Sequence, residues 1–368
     1  MPERSKPSLQ SKHSSHFARI ERARRKPGRV QGPCVDLAHG GGGKAMRDLI
    51  DDVIVSAFGT DRQSLQDDQA RIALAPLMAT GDRLAFTTDS YVVTPLFFPG
   101  SDIGKLAVNG TVNDLAVSGA KPMYLSCGLV IEEGLSLEIL RRVVGSMAEA
   151  AQAAGVTIVT GDTKVVPRGQ CDQLFINTAG IGVIPTERNP HAQGILPGDV
   201  LLVNGTLGDH AAAILLARGE LQLESAITSD CAALHGLIDS VCGEVDVHAM
   251  RDITRGGLSA VLNELAMASE VGLVVDETAL PVRADVRGLC ELLGFDPVHM
   301  ANEGKLVMAV AAADAQRALA LMRAHPLGQD SAIIGVARDN LPGMVTLQTA
   351  LGERILDMLV GEPVPRIC

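Results

Sequence analysis

Residues 185–199, PTERNPHAQGILPGD, cut the chain in two. Three prolines and two glycines in fifteen positions, without an apolar period, can neither propagate a helix nor form a central strand. The stretch is the best candidate for a domain boundary. At 368 residues the chain exceeds one ordinary core, so two domains flanking this break are the expected organisation.

Both sides read as α+β. In DRLAFTTDSYVV, Leu84, Phe86 and Thr88 alternate on what is expected to be the buried face of a half-buried strand running into Asp89. Ile103, Leu106, Ala107, Leu115 and Ala116 follow helical spacing until GAKP, 119–122, stops the helix. A strand over 123–131, an Ala-rich helix over 136–154, the strand VTIV ending in TGDTK, and a strand over 173–184 complete the first set. The second set has the strand VLLVNG, the helix GDHAAAILLARG, a helix near 229–242, and a helix whose first turn is Gly256 and Gly257. The opening GDRLAFTTD faintly echoes GDVLLVNGT at 198, a hint of duplicated halves.

Composition excludes several classes. Aromatics make up 2% of the chain with no Trp, which leaves no stacking platforms for single-stranded nucleic acid. A net charge of −11 opposes phosphate-backbone binding, so no nucleic acid partner is expected. No apolar run is long enough to span a membrane. Residues 1–33 carry nine Lys or Arg against two Glu and read as a disordered basic tail without the apolar stretch of a secretory signal. Seven cysteines without CxxC spacing point to reduced thiols in the cytoplasm. The expected division is this tail, an N-terminal domain over 34–186, a C-terminal domain over 187–355, and an arm over 356–368.

Chemistry is suggested by four acidic segments in which Asp sits beside Gly, Thr or Asn at a strand end or helix turn: Asp89, Asp114, Asp162 and Asp252. Magnesium binds through one or two carboxylates, water and nucleotide phosphates, so carboxylates spread over several loops suit a Mg²⁺–nucleotide site. Taken singly, each would be a turn or cap residue. TRGGL offers the phosphates a helix N-terminus with Gly256, Gly257 and the adjacent Arg255. HGGGGKAM could be a lid bringing Lys44 to a phosphate, or a plain connector; it lacks the P-loop pattern because Ala38 stands at the first glycine position and Ala45 follows the lysine. His39, His210 and His248 lack metal-ligand spacing and read as ordinary polar residues. The chain ends GEPVPRIC, where Pro363 and Pro365 forbid a helix and hold Cys368 on an extended arm.

The segments LAHGGGGKAMRDLI, TDSYVVTPLFFPGSDIGKLAVNGTVNDLAVSGAKP, VTGDTKVV, INTAGIG, RDITRGGLSAVLNE, ANEGKLV and the terminal PRIC together resemble the HypE family, the carbamoyl dehydratases of [NiFe] hydrogenase maturation. The likeness runs from about Leu37 to Cys368. It implies the two-domain PurM-like α+β fold of aminoimidazole ribonucleotide synthetase and selenophosphate synthetase. In that fold the N-terminal domain forms an intersubunit β-barrel in a homodimer, ATP lies in a groove at the interface, and the C-terminal α+β domain covers it. The resemblance further implies Mg²⁺ on Asp89, Asp114 and Asp252, with Asp68, Asn113, Asp162 and Thr163 nearby, Arg255, Gly256 and Gly257 facing the phosphates, and Lys44 in the ATP site.

It also implies a use for the arm. Cys368 would accept a carbamoyl group from the carbamoyltransferase HypF, and the arm would carry this S-carboxamide into the ATP groove. There Glu303 is the implied base and Lys164 the implied donor or charge stabiliser. The product, S-cyanocysteine, would deliver cyanide to a HypC and HypD scaffold complex. Arg366 could lower the thiol's pKa or be a solvated charge. Two alternatives stand beside this: another ATP-dependent enzyme of the same superfamily, which has no use for a terminal cysteine, and a non-enzymatic thiol carrier, which has no use for the four aspartates.

Overall fold

The computed structural model describes residues 28–59, 69–219, 223 and 225–361. Asp68, Arg366, Cys368 and most of the basic tail fall outside these residues. The first half holds strands β1 (Arg83–Tyr91), β4 (Lys121–Glu132), β5 (Thr157–Val166) and β6 (Leu174–Ile184), in the order β1-β6-β4-β5, with a short ribbon of β2 (Phe97–Phe98) and β3 (Ser101–Asp102). Only β4 and β5 run parallel. The second half forms a seven-stranded sheet, β13-β12-β9-β11-β7-β10-β8, from β7 (Val200–Val203), β8 (Val247–Asp252), β9 (Gly272–Asp276), β10 (Leu306–Val310), β11 (Ala332–Arg338), β12 (Val345–Thr349) and β13 (Gly352–Ile355). The two echoing segments open both sheets, but β1 lies at an edge and β7 in the interior.

Before the first sheet come helices α1 (Lys44–Leu49) and α2 (Leu74–Thr80). The first sheet is covered on one face by α3 (Ile103–Val117) and α4 (Leu137–Ala154). Helix α3 starts sharply because Asp102 caps it, accepting from the Gly104 and Lys105 amides at 2.8 and 3.1 Å. Almost every α3 side chain is buried, as expected of a helix apolar all round. It touches β1 and β6 on one side and β8 of the other sheet on its far side.

In the second half, α7 (Gly257–Ser269) covers one face of the large sheet, while α6 (His235–Cys242) and α9 (Ala315–Ala324) cover the other. Alternation along β7 divides its residues accordingly: Leu201 and Val203 face α7, whereas Val200 and Leu202 face α6 and α9. Helices α5 (Asp209–Ala217) and α8 (Ala284–Leu293) belong to the second half by sequence but contribute to the first half's core.

Three sequence expectations need correction. Leu84, Phe86 and Thr88 lie on the open face of β1, with Leu84 60% and Phe86 72% exposed, because α3 occupies the opposite side and meets the smaller Thr87 and its neighbours. TGDTK does not end its strand: β5 continues through it to Val166, since its ladder with β4 extends to Glu132 and Val166. The helix near 229–242 begins only at His235, because residues 229–234 bond to other parts of the protein instead of to their own backbone.

Helix α3 approaches its neighbours through glycines. A Cβ on Gly104 would stand 2.4 Å from the Val143 carbonyl oxygen, and one on Gly110 would stand 2.2 Å from the Tyr91 hydroxyl oxygen. Although alanine is the better helix former, Gly104→Ala is expected to lower stability by about 1–3 kcal/mol through this overlap. Urea denaturation followed by far-UV circular dichroism measures it.

Candidate functional site

The wedge of α3 between the sheets brings three of the four predicted aspartates together. Asp89 lies on the α3 side of β1, Asp114 on the last turns of α3, and Asp252 at the C-terminal end of β8. Thr87, two residues before Asp89, donates its hydroxyl to Asp114 Oδ2 at 2.8 Å. Asp89 Oδ1 accepts the Ser90 amide at 2.8 Å.

Close carboxylates shift each other's titration. Burial pushes Asp114 up, with Asp89 adding to the effect, while the Thr87 hydroxyl, Arg251 and Arg255 oppose it. Asp252 is pushed up to about 7, first by burial and then by Asp114 and Asp89. Glu303 belongs to the same field. Burial holds its carboxyl well above the usual carboxylate range, Asp230, Asp252 and Asp89 add to this, and Arg255 draws it back. An acidic cluster with insufficient positive charge is a receptor for a cation.

The residues expected to face the phosphates lie beside it. Arg255 and Gly256 are exposed directly after β8, and α7 starts without a side-chain cap. Gly256 at φ +79° and Gly257 at φ +66° take left-handed conformations that favour glycine. A Cβ on Gly257 would also fall 2.5 Å from the Val298 carbonyl oxygen. The thirteen-residue helix thus presents its dipole end next to Arg255.

Other predicted residues stand elsewhere or do other work. Asn113 uses its whole amide as a clasp: Nδ2 donates to the Ala232 carbonyl at 3.0 Å and the Glu303 carbonyl at 3.4 Å, and Oδ1 accepts the Leu234 amide at 2.7 Å. Asp162 and Lys164 are largely exposed on the open face of β5 and pair with each other at 3.7 Å, while Thr163 is buried on the covered face. Lys44 stands at the start of α1 and reaches Asp48. Gly40, the first of the glycine run before it, packs against β5, where a Cβ would meet Val165 at 2.9 Å. His210, expected as an ordinary polar residue, is buried with Nδ1 2.8 Å from the Ser229 hydroxyl; His248 pairs with Asp199 at 2.7 Å.

The root of the arm is held at the site. Leu356 is buried, the Asn263 amide donates to its carbonyl at 2.9 Å, and the Ser259 hydroxyl donates to the Asp357 carbonyl at 2.8 Å. Both donors belong to α7, within two turns of Gly257. From Asp357, the chain that follows can span at most about 40 Å to Cys368.

Sequence patterns missed Asp230, which carries no motif. Its carboxylate accepts the Glu303 amide at 3.0 Å, the Gly304 amide at 3.3 Å and the Lys305 ammonium at 3.0 Å. Among the described residues, no three His, Cys, Asp or Glu side chains converge closely enough to hold a metal ion alone. The acidic donor set still fits a hard cation completed by water and phosphate oxygens. No helix among the described residues is long and apolar enough to cross a membrane.

This fold and site define a class. Residues 66–184 match the N-terminal domain and residues 197–343 the C-terminal domain of the AIR synthase related proteins. Within that class, the chain is 57% identical over 336 residues to the carbamoyl dehydratase HypE of Rhodobacter capsulatus, covering 91% of this chain and 98% of that one. It is 55% identical to the carbamoyl dehydratase HypE of Escherichia coli over 91% of this chain and 99% of that one. The chain belongs to the HypE carbamoyl dehydratase family.

Solved structures agree. E. coli HypE superposes with a TM-score of 0.83 at 54% identity, covering 88% of this chain and 100% of that one. A HypE in complex with ATP gives 0.85 at 46% identity, covering 90% and 99%. A chain of a HypE–HypF complex gives 0.73 at 43% identity, covering 86% and 100%. Thiamine monophosphate kinase from Aquifex aeolicus, at 21% identity and a TM-score of 0.55, shares the fold.

The raised Asp252 pKa has a definite sign in stability. The native protein retains a proton at Asp252 that the unfolded chain releases near 3.8, so stability is lost as pH rises from there towards about 7. With metal chelated, Asp252→Asn is expected to raise the thermal midpoint by a few degrees at pH 8 and by markedly less at pH 5. Thermal melts at the two pH values measure the difference.

Proposed function

We propose that this protein is an ATP-dependent carbamoyl dehydratase that converts an S-carboxamide on its own Cys368 to S-cyanocysteine, the source of cyanide for a [NiFe] hydrogenase iron centre. One observation carries the assignment of residues: a buried glutamate, Glu303, shares an electrostatic field with three aspartates and with the arginine that precedes an uncapped helix N-terminus.

An amide oxygen is a poor leaving group, and transfer of the ATP γ-phosphoryl group to it creates a good one. The C–O bond then breaks with its electron pair leaving on phosphate. Both N–H protons are lost as the C–N bond becomes triple, so one carboxamide and one ATP yield one nitrile, ADP, phosphate and a proton. Arg255, Gly256 and Gly257 bind the phosphates through charge and the dipole end of α7. Asp89, Asp114 and Asp252 would hold Mg²⁺, which supplies neutralisation of phosphate charge when bound. Glu303 accepts an N–H proton; a carboxyl held above its usual range is the stronger base once ionised. Lys164 acts as donor or charge stabiliser from the open sheet face.

That open face supports a homodimer. Leu84 and Phe86 stand exposed on it, and Ile181 and Tyr124 continue the apolar row across β6 and β4. Closing it against a second copy would form the intersubunit barrel and cover Asp162 and Lys164, with ATP in the interface groove. Lys44, Asp68, Asn113, Asp162 and Thr163 complete the proposed nucleotide surroundings, Asn113 as a clasp. The solved HypE–HypF complex supports HypF as carbamoyl donor, and HypC with HypD is the proposed acceptor of cyanide. The protein would act in the cytoplasm as four units: the tail, the domains over 34–186 and 187–355, and the arm over 356–368, whose root is fixed at α7.

Intact-mass spectrometry after incubation with HypF, its carbamoyl substrates and ATP tests the chemistry. The wild-type chain is expected to gain one carbamoyl mass and then lose one water. Cys368→Ala should do neither, and Asp114→Asn should retain the carbamoyl group with dehydration slowed at least about 100-fold. Completion of dehydration by Asp114→Asn at the wild-type rate would refute the site. Phe86→Glu is expected to shift the protein from dimer to monomer in sedimentation velocity; an unchanged dimer would refute the proposed barrel face.

A further inference from the structure

Residues 229–234 form a strap between the halves. On one side, Asn113 of α3 holds Ala232 and Leu234, and the Ser229 amide donates to the Pro99 carbonyl at 2.8 Å. On the other side, the Ala232 amide donates to the Glu303 carbonyl at 3.3 Å, while Asp230 binds the amides of Glu303 and Gly304 and the ammonium of Lys305. The Asp230–Lys305 pair is almost fully enclosed, with side chains 4% and 11% exposed. Gly304 is required for this closeness, since a Cβ there would lie 1.9 Å from the Asp230 carbonyl oxygen. Asn204 closes the loop's other end, donating to the Gly304 carbonyl at 3.1 Å and accepting the Leu306 amide at 2.8 Å.

We infer that Asp230 is the positioning residue of Glu303, fixing the backbone of residues 303–305 so that the Glu303 carboxyl meets the carboxamide. This rests on the proposed role of Glu303 as the base. Two charge-assisted amide bonds and a buried ammonium on one carboxylate make a rigid support. A displacement of about 1 Å in a catalytic group is enough to cost roughly 100-fold in rate. Asp230 touches neither substrate nor nucleotide in this role and acts through Glu303 alone.

The test is the first-order rate of water loss from carbamoyl-loaded Cys368 in the full-length protein at saturating ATP and Mg²⁺, with ATP affinity measured separately. Asp230→Asn is expected to slow the rate about 10- to 100-fold and leave ATP affinity within about twofold. Added to Glu303→Gln, it should cost less than about twofold more, because the group it positions is already gone. Asp230→Asn combined with Lys305→Met leaves no stranded ammonium and is expected to remain as slow as Asp230→Asn. Recovery of the wild-type rate in that double variant would mean that only charge balance mattered, and would overturn the inference. So would a wild-type rate in Asp230→Asn, or a full multiplicative loss in the Glu303→Gln background. If Glu303→Gln itself runs at the wild-type rate, the base assignment falls and this inference with it; if Glu303→Gln is crippled and Asp230→Asn is not, the inference falls alone.

Discussion

Burying carboxylates against one another is unfavourable, and this protein does so where α3 wedges between its two sheets. Asp252, at the end of β8, is pushed up to about 7 by burial and by Asp114 and Asp89. Glu303 is held well above the usual carboxylate range by burial, with Asp230, Asp252 and Asp89 adding to it. Such strain persists only where the surrounding structure fixes the groups in place. Here the fixing is done by an almost wholly buried helix, a capped N-terminus and the clasp of Asn113. The cluster is left with an unmet demand for positive charge, which a bound divalent cation would satisfy.

The same helix explains why the halves cannot be treated as separate machines. Asp89 and Asp114 belong to the first half, while Asp252, Arg255 and Glu303 belong to the second. Helices α5 and α8, which follow the Pro- and Gly-rich break in sequence, bury residues such as Ala212 and Leu289 in the first half's core. The break at 185–199 therefore separates two sheets without separating two independent cores. The arm's root on α7, held by Ser259 and Asn263, adds the third component to the seam.

Much of this was legible in the residues, for identifiable reasons. The α3 boundary at GAKP and the turn at Gly256 and Gly257 are backbone signals that depend only on neighbours in sequence. Asp89, Asp114, Asp162 and Asp252 share one local design, and the structure gathers the first, second and fourth while leaving Asp162 on the open face of β5. What failed depended on what covers what. Leu84 and Phe86 form a proper strand pattern, yet alternation alone cannot say which face meets α3. TGDTK reads as a strand end because the ladder with β4 that carries β5 on to Val166 is not visible in the sequence. The strap at 229–234 reads as helix because an Ala–Leu stretch has helical propensity, and only tertiary bonds to Asn113 and Glu303 override it. Asp230 had no local signature at all, since its three partners lie more than seventy residues away.

The central claim is that the acidic seam uses ATP to turn a tethered carboxamide into a nitrile. Infrared spectroscopy of the carbamoyl-loaded protein tests it most directly, because the nitrile stretch lies in a window free of protein absorption. The account predicts no nitrile band before nucleotide is added, and one band that grows after ATP and Mg²⁺ but not after a non-transferable ATP analogue. A band that appears without ATP, or loaded protein that hydrolyses ATP and never develops one, would contradict it.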